Sequence, residues 1–248
     1  MTTPPNDSQR LAQQQRPGGF PVMKQRWAEL GFFHWPFDPE IIAARLPKGL
    51  HVDTFDGRAW MGVVPFLMQR IRPVYLPPVP WLSWFHELNL RTYVFDENGN
   101  PGVWFFSLEC NQPLAVEIAR RTFNLPYQHA CMKSEIDSNC VIFKSSRKDN
   151  STAESIFKYP HPHEPIPAEP GSLEWFLVER YSLFSTSKSG TLYSGRVHHT
   201  PYQIEPMASG SCSTTIFALN GFEEPSSPPT SMLSASPVDV TIFPLKSI

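Results

Sequence analysis

Proline limits this chain more than any other residue type. It fills 27 of 248 positions, against 13 for glycine, roughly twice the ~5% usual in proteins. Inside a helix, proline removes a hydrogen bond and clashes with the preceding turn. Inside a sheet it is confined to edges, ends and bulges. A helical bundle is therefore excluded, and the pattern predicts many short strands joined by ordered, proline-braced connections. Much of the proline falls in residues 73–80, 160–170 and 225–229, outside the runs with strand character. Such loops suit the mouth of a cavity, with Trp81, Trp84 and Phe85 as apolar lid residues.

Other classes fall to composition. Hydrophobic residues make up 41%, and 21 basic residues against 23 acidic ones give 21 − 23 = −2. That balance allows a buried core, argues against global disorder, and lacks the basic footprint of a nucleic-acid binder. The longest uncharged or apolar stretches, 206–222 and 73–85, are too polar or too proline-broken to cross a membrane as helices. The first twenty residues hold no apolar core of the ~7–15 residues that a secretory signal needs. Cys110, Cys131, Cys140 and Cys212 show no CxxC spacing and read as reduced thiols. The protein is expected to be cytoplasmic, so the acceptor patterns at Asn6-Asp7-Ser8 and Asn150-Ser151-Thr152 carry little meaning.

Residues 1–19 read as a disordered arm and 20–248 as one domain. Asp38 and Pro39 suit the N-cap and first position of a helix to about residue 45. Strands are expected over 51–55 and 59–68, and a hairpin over 88–95 and 102–109 around a turn containing Asn98-Gly99. A helix follows Gln112-Pro113 to about residue 123, with Leu114, Ala115 and Ile118 facing inward. A further hairpin is expected over 132–136 and 141–145, and a proline-rich loop over 159–170. Ser172 caps a helix to about residue 180, and strand character recurs at 183–184, 191–199, 213–219 and 238–243.

The candidate chemistry centres on the strand 87–95. Alternation puts Glu87, Asn89, Arg91 and Tyr93 on one face and Leu88, Leu90, Thr92 and Val94 on the other. An acid, an amide, a guanidinium and a phenol in a row suit either a wet sheet face or the wall of a polar cavity. The neighbouring apolar run Val103-Trp104-Phe105-Phe106 favours the cavity, because it covers the sheet and obliges buried polar groups to find partners. Glu179-Arg180-Tyr181 brings a second acid, base and phenol, or a surface ion pair. His198 and His199 point to opposite faces, so one of the two can enter a cavity. His161-Pro162-His163-Glu164 has metal-like spacing, but its prolines forbid an ordinary strand ladder and too few ligands accompany it. Neither a metal nor a cofactor is indicated, and no Gly-rich phosphate loop or GxSxG elbow is present.

Several strings occur in an order that resembles a known family. They are Arg26-Trp27, His34-Trp35, Asp53-Thr54-Phe55-Asp56-Gly57, Val64-Pro65-Phe66, Phe85-His86-Glu87-Leu88-Asn89-Leu90-Arg91-Thr92-Tyr93, Leu125-Pro126-Tyr127, Glu179-Arg180-Tyr181, His198-His199 and Val238-Asp239-Val240. Together, over about residues 20–248, they resemble the YqjF-like family of uncharacterised proteins, which is similar in fold to acetoacetate decarboxylase. The resemblance implies a mainly β, α+β fold: a single antiparallel, cone-shaped β-barrel of the acetoacetate decarboxylase-like type, with a few peripheral helices and an enclosed cavity. The decarboxylase forms a Schiff base on a lysine of lowered pKa. At the matching stretch Tyr127 and Gln128 stand in place of the lysine pair, and a phenol cannot form an imine. Schiff-base decarboxylation is therefore not expected. The leading expectation is a cytoplasmic protein binding a small polar or carboxylate-bearing ligand, with no nucleic-acid or membrane partner and self-association left open. Arg91 would anchor the anionic group. Asn89, Tyr93, Glu179, Arg180 and His198 or His199 would complete the binding site. The alternatives are a lyase or hydrolase on a small oxo acid, with Glu87 and Tyr127 as the acid/base pair, and a non-catalytic scaffold.

Overall fold

The computed structural model describes residues 3–150 and 152–248, so Ser151 of the acceptor pattern at Asn150 lies outside the described residues, as do the first two residues of the arm. The chain runs α1 (Asp7–Ala12), β1 (Met23–Ala28), β2 (Leu30–Phe37), α2 (Pro39–Ala43), β3 (Leu50–Val52), β4 (Ala59–Pro73), β5 (Phe85–Asp96) and β6 (Pro101–Cys110). It continues α3 (Pro113–Thr122), β7 (Tyr127–Ile136), β8 (Cys140–Arg147), β9 (Glu154–Pro160), β10 (Ile166–Pro167), α4 (Leu173–Val178), β11 (Ser182–Thr186) and β12 (Leu192–His198). Then come β13 (Gln203–Pro206), β14 (Ser211–Ser213), a 3₁₀ turn at Ala218–Asn220, β15 (Ser231–Ala235), β16 (Val238–Ile242) and β17 (Lys246–Ser247). The fold is mostly β with few helices.

The pairings include a circuit that returns to its start: β1–β4, β4–β5, β5–β6, β6–β11, β11–β12, β12–β16 and β16–β1. The sheet is mixed, which departs from a purely antiparallel expectation. One edge of β6 pairs in parallel with β11 through Val103 and Trp104, and with β7 from Leu108 to Cys110. A parallel neighbour needs a crossover of about a dozen residues, commonly a helix, and α3 supplies it between β6 and β7. From there β7, β8, β9 and β14 form an antiparallel extension.

Local chemistry explains the helices. Asp38 accepts from the Glu40 N–H, the Gln112 side chain from the Leu114 N–H, and Ser172 from the Trp175 N–H, with Pro39 and Pro113 opening their helices. Each cap satisfies an N–H that the first helical turn leaves without a partner. The inward face assigned to α3 holds in part. Ala115 packs against the core as expected and Ile118 reaches the cavity wall although 41% exposed, but Val116 is the buried residue of the helix and Leu114 is 44% exposed. The strand expected over 213–219 also fails. There β14 ends at Ser213, and the chain turns into the 3₁₀ segment through bonds such as Leu219 N–H to Thr215 O. The loop expected over 159–170 instead holds the end of β9 and the two-residue β10, both at proline-tolerant strand ends.

Hydrophobic clusters cover β5 on both sides. Phe85 and Tyr93 belong to one, with Trp60, Val64, Leu108 and Phe176; Leu88 and Leu90 belong to the other, with Phe33, Met61, Phe143 and Phe157. Apart from His86, β5 is buried throughout, so its polar residues cannot be an ordinary wet face. Residues 3–19, where the sequence reads as a disordered arm, carry α1 against this body. Arg10 pairs with Asp53, and the Arg196 guanidinium donates to the Gln13 carbonyl at 2.7 Å.

Candidate functional site

A cavity of about 330 Å³ lies within the strand circuit, and each of the seven circuit strands contributes to its wall. Most of the wall is apolar. Glu87 and Arg91 reach it from β5, Tyr127 from the start of β7, and Arg180 and Tyr202 from the segments after α4 and β12. A drug-sized pocket of this kind holds few polar groups, and those set ligand orientation.

Glu87 and Tyr127 meet because of the crossover. β5 puts Glu87 opposite Cys110 of β6, while α3 returns the chain so that Tyr127 lies beside Leu108. The Arg120 guanidinium on α3 donates to the Tyr127 carbonyl, Nε–O 2.8 Å, and fixes the start of β7. The Tyr127 hydroxyl donates to Glu87 Oε2 at 2.7 Å. Burial raises the Glu87 carboxyl from 4.5 to about 7, with the Tyr127 hydrogen bond opposing part of the rise. Burial and the nearby Glu87 push the Tyr127 phenol well above its ordinary value, and the Cys110 thiol is pushed up to about 12. Glu87 is therefore poised to take or give a proton near neutrality, and Tyr127 stays a neutral donor.

Arg91 has no carboxylate partner among the described residues. Its Nη2 donates to the Leu177 carbonyl at 3.1 Å and, weakly, to the Tyr93 oxygen at 3.4 Å, while Nε has no partner. The guanidinium lies over the Phe32 and Tyr93 rings at 5.5 and 5.6 Å, a modest cation–π compensation. Tyr93 and His34 Nε2 are 2.7 Å apart. Burial and the nearby Arg91 charge lower the His34 pKa, so the imidazole is neutral and Nε2 can accept from the phenol. Gly62 makes room for this pair, since a Cβ there would sit 2.9 Å from the His34 ring and 3.2 Å from the Tyr93 oxygen.

Arg180 lines the same cavity but is paired. Its Nη1 lies 2.6 Å from Asp53 Oδ2, and Arg10 grips the same carboxylate at 2.6 and 2.7 Å. Burial lowers the Arg180 pKa to about 10 against the pull of Asp53.

The structure thus brings Glu87, Arg91, Tyr127 and Arg180 to one cavity. The remaining candidates sit elsewhere. Asn89 is buried with its Oδ1 unpartnered, and Tyr93 stands behind Arg91. Glu179 accepts from the Tyr181 hydroxyl and, at 2.8 Å, from the Tyr202 N–H, which aims Tyr202 at the cavity. His199 stacks on Tyr181 and meets the tilted Tyr202 ring, with centroids 4.6 Å from each, and burial lowers its pKa to about 4. His198 is only partly buried. At His161, Nδ1 faces Glu29 at 3.1 Å and Nε2 faces the Asp137 carbonyl at 2.8 Å, so both ring nitrogens are engaged. Of the expected lid, Trp81 and Trp84 are exposed, whereas Phe85 and the adjacent Leu82 line the wall. Sequence reasoning missed Tyr202, His34 and Arg10. Only the string His34-Trp35 carried any signal.

Known proteins resemble this chain in sequence and in shape. The family DUF2071, described as an uncharacterized conserved protein, matches residues 24–239. The uncharacterized protein YqjF of Bacillus subtilis strain 168 is 38% identical over 230 residues, covering 93% of this chain and 94% of that one. Acetoacetate decarboxylase from Legionella pneumophila superposes with a TM-score of 0.66 at 14% identity, covering 94% of this chain and 91% of that one. The enduracididine biosynthesis enzyme MppR, complexed with pyruvate, gives 0.62 at 12% identity, covering 92% and 91%. An acetoacetate decarboxylase-like enzyme from Sphingomonas wittichii gives 0.62 at 12% identity, covering 93% and 94%. At these identities the structural likeness is one of fold.

Proposed function

This chain belongs to the DUF2071 family of uncharacterized conserved proteins, and from that premise we propose that it binds a small carboxylate-bearing ligand in the cavity inside its strand circuit. We read the circuit as a single cone-shaped barrel. Arg91 is the observation that carries the reading. A buried guanidinium with an unpartnered Nε and, among the described residues, no carboxylate within ion-pair reach is costly unless an anion joins it. A planar carboxylate matches its fork. Pyruvate bound to a fold neighbour is consistent with this chemistry. The cavity wall includes no lysine, so a Schiff base has no amine there. Four unpaired thiols fit a reducing, cytoplasmic setting, and among the described residues no helix is long and apolar enough to cross a membrane.

Native mass spectrometry of protein from its own host should show a co-purified acid. Arg91→Met should weaken binding of that acid at least about 30-fold, the cost of leaving a buried charge unpaired. Unchanged affinity would end the reading.

A second reading rests on the Glu87–Tyr127 pair. A carboxyl with a pKa of about 7, 2.7 Å from a neutral phenol, suits proton transfer in a lyase or hydrolase reaction on an oxo acid. Turnover that disappears in Glu87→Gln while binding persists would establish it.

A further inference from the structure

We propose that the natural ligand is an amphipathic monocarboxylate, with its carboxylate on Arg91 deep in the cavity and an apolar body running to the mouth; this rests on the carboxylate reading above. The polarity gradient of the wall carries the inference. Arg91, Glu87, Tyr127, Arg180 and Tyr202 are all buried. The lining residues that reach solvent are mostly apolar, among them Met23, Ile71, Pro73, Leu82, Ala115 and Ile118. Gln25 and Arg72 are the polar exceptions there. A small hydrophilic oxo acid would leave most of such a wall without a partner. An apolar chain would cover it, and each buried methylene would add affinity.

The apolar surface continues past the mouth. Leu76 and Trp81 in the loop after β4 are 58% and 67% exposed, and Leu114 on α3 is 44% exposed. The Gln112 side chain donates to the Trp81 carbonyl at 2.9 Å and ties that loop to the start of α3. The result is an apolar rim beside the opening. It gives a tail longer than the cavity somewhere to lie. Exposed apolar surface of this kind is ordinarily associated with a binding function.

The test is calorimetric titration with straight-chain carboxylates from acetate to decanoate, together with pyruvate, acetoacetate, octanol and octanedioate. Affinity should rise about fourfold per methylene from butanoate to octanoate. Octanol and octanedioate should each bind at least about 30-fold more weakly than octanoate. Ile118→Glu, at a partly exposed helix position where folding tolerates charge, should weaken octanoate by a larger factor than butanoate. Pyruvate binding as tightly as octanoate, or an affinity indifferent to chain length, overturns the amphipathic ligand and leaves the carboxylate reading standing. No binding by any acid overturns both.

Discussion

Arg91 and Arg147 invite comparison because burial does not distinguish them. Arg91 on β5 is 8% exposed and Arg147 on β8 is 6%. Arg147 meets Glu109, Nε to Oε1 2.8 Å. Glu109 also accepts from the Ser145 hydroxyl, and the Arg147 Nη1 donates to the Leu219 carbonyl at 3.2 Å. That pair closes the extension of β7, β8 and β9 onto β6. Arg91 has a backbone carbonyl, a distant phenol and two rings. A buried charge that exists to hold a fold together is neutralised within the fold. One left unneutralised beside a cavity is available to something that enters.

Removing each guanidinium is the largest way to test the contrast. Arg147→Met should cost about 3–5 kcal/mol of folding stability, because Glu109 is left buried and unpaired. Replacing Glu109 by Leu in the same chain should recover much of that. Arg91→Met should cost less than about 1 kcal/mol, since no buried partner is abandoned. Urea denaturation of the three variants checks this. Equal losses at the two arginines would make Arg91 a structural residue like Arg147.

Glu87 sharpens the comparison from the acid side. Its ordinary pKa of 4.5 rises to about 7 on folding. Between those values the native state holds a proton that the unfolded chain has released. The group's stabilising contribution is therefore full below pH 4.5 and is lost as pH rises through 7. Tyr127 and Cys110 face it from β7 and β6, while Arg91 and Arg180 share its cavity. Glu87→Gln should gain on the wild type between pH 5 and pH 8 by up to about 3 kcal/mol. His199 works in the opposite direction. Its pKa falls from 6.5 to about 4, so its contribution is full above pH 6.5 and is lost as pH drops toward 4. Melting curves of both proteins across this range check the sign. A pH-independent difference would mean that Glu87 is already ionised in the fold.

How much of this was legible in the sequence depends on the range over which each contact acts. Alternation along residues 87–93 is local, so β5 and its polar face could be read directly. The helix caps at Asp38, Gln112 and Ser172 are equally local. Tyr127 stood out only through family resemblance, because its meeting with Glu87 spans 40 residues and depends on a parallel crossover. Tyr202 reaches the cavity through Glu179, and Arg10 reaches Asp53 over 43 residues. No short-range pattern encodes either contact. Leu114 on α3 was misplaced for a different reason. A stripe of Leu114, Ala115 and Ile118 normally faces a core, but here Ala115 and Ile118 line a cavity and Leu114 stays outside its wall, 44% exposed.

Arg10 and Arg180 complete the series between the two extremes, since they share one carboxylate. Asp53 is fully buried, and Arg10 brings the N-terminal segment to it with its side chain 10% exposed. Truncation by Arg10→Ala leaves Asp53 paired with Arg180, so no charge is stranded. The expected cost is about 1.5–3 kcal/mol, the scale of hydrogen bonds to a charged group and below that of Arg147→Met. The arm keeps other anchors, among them the Arg196 bond to the Gln13 carbonyl, the Ser182 hydroxyl on Gln13 Oε1 at 3.2 Å and the Arg16 guanidinium over the Phe243 ring. Residues 3–19 should therefore become more protease-sensitive while the rest stays folded. Carboxylate binding should change less than about threefold, because Arg10 does not line the cavity. If Arg10→Ala weakened binding as much as Arg91→Met does, the anion would sit on the Arg180–Asp53 network, and the distinction between paired and unpaired arginines would fail at the point where it assigns function.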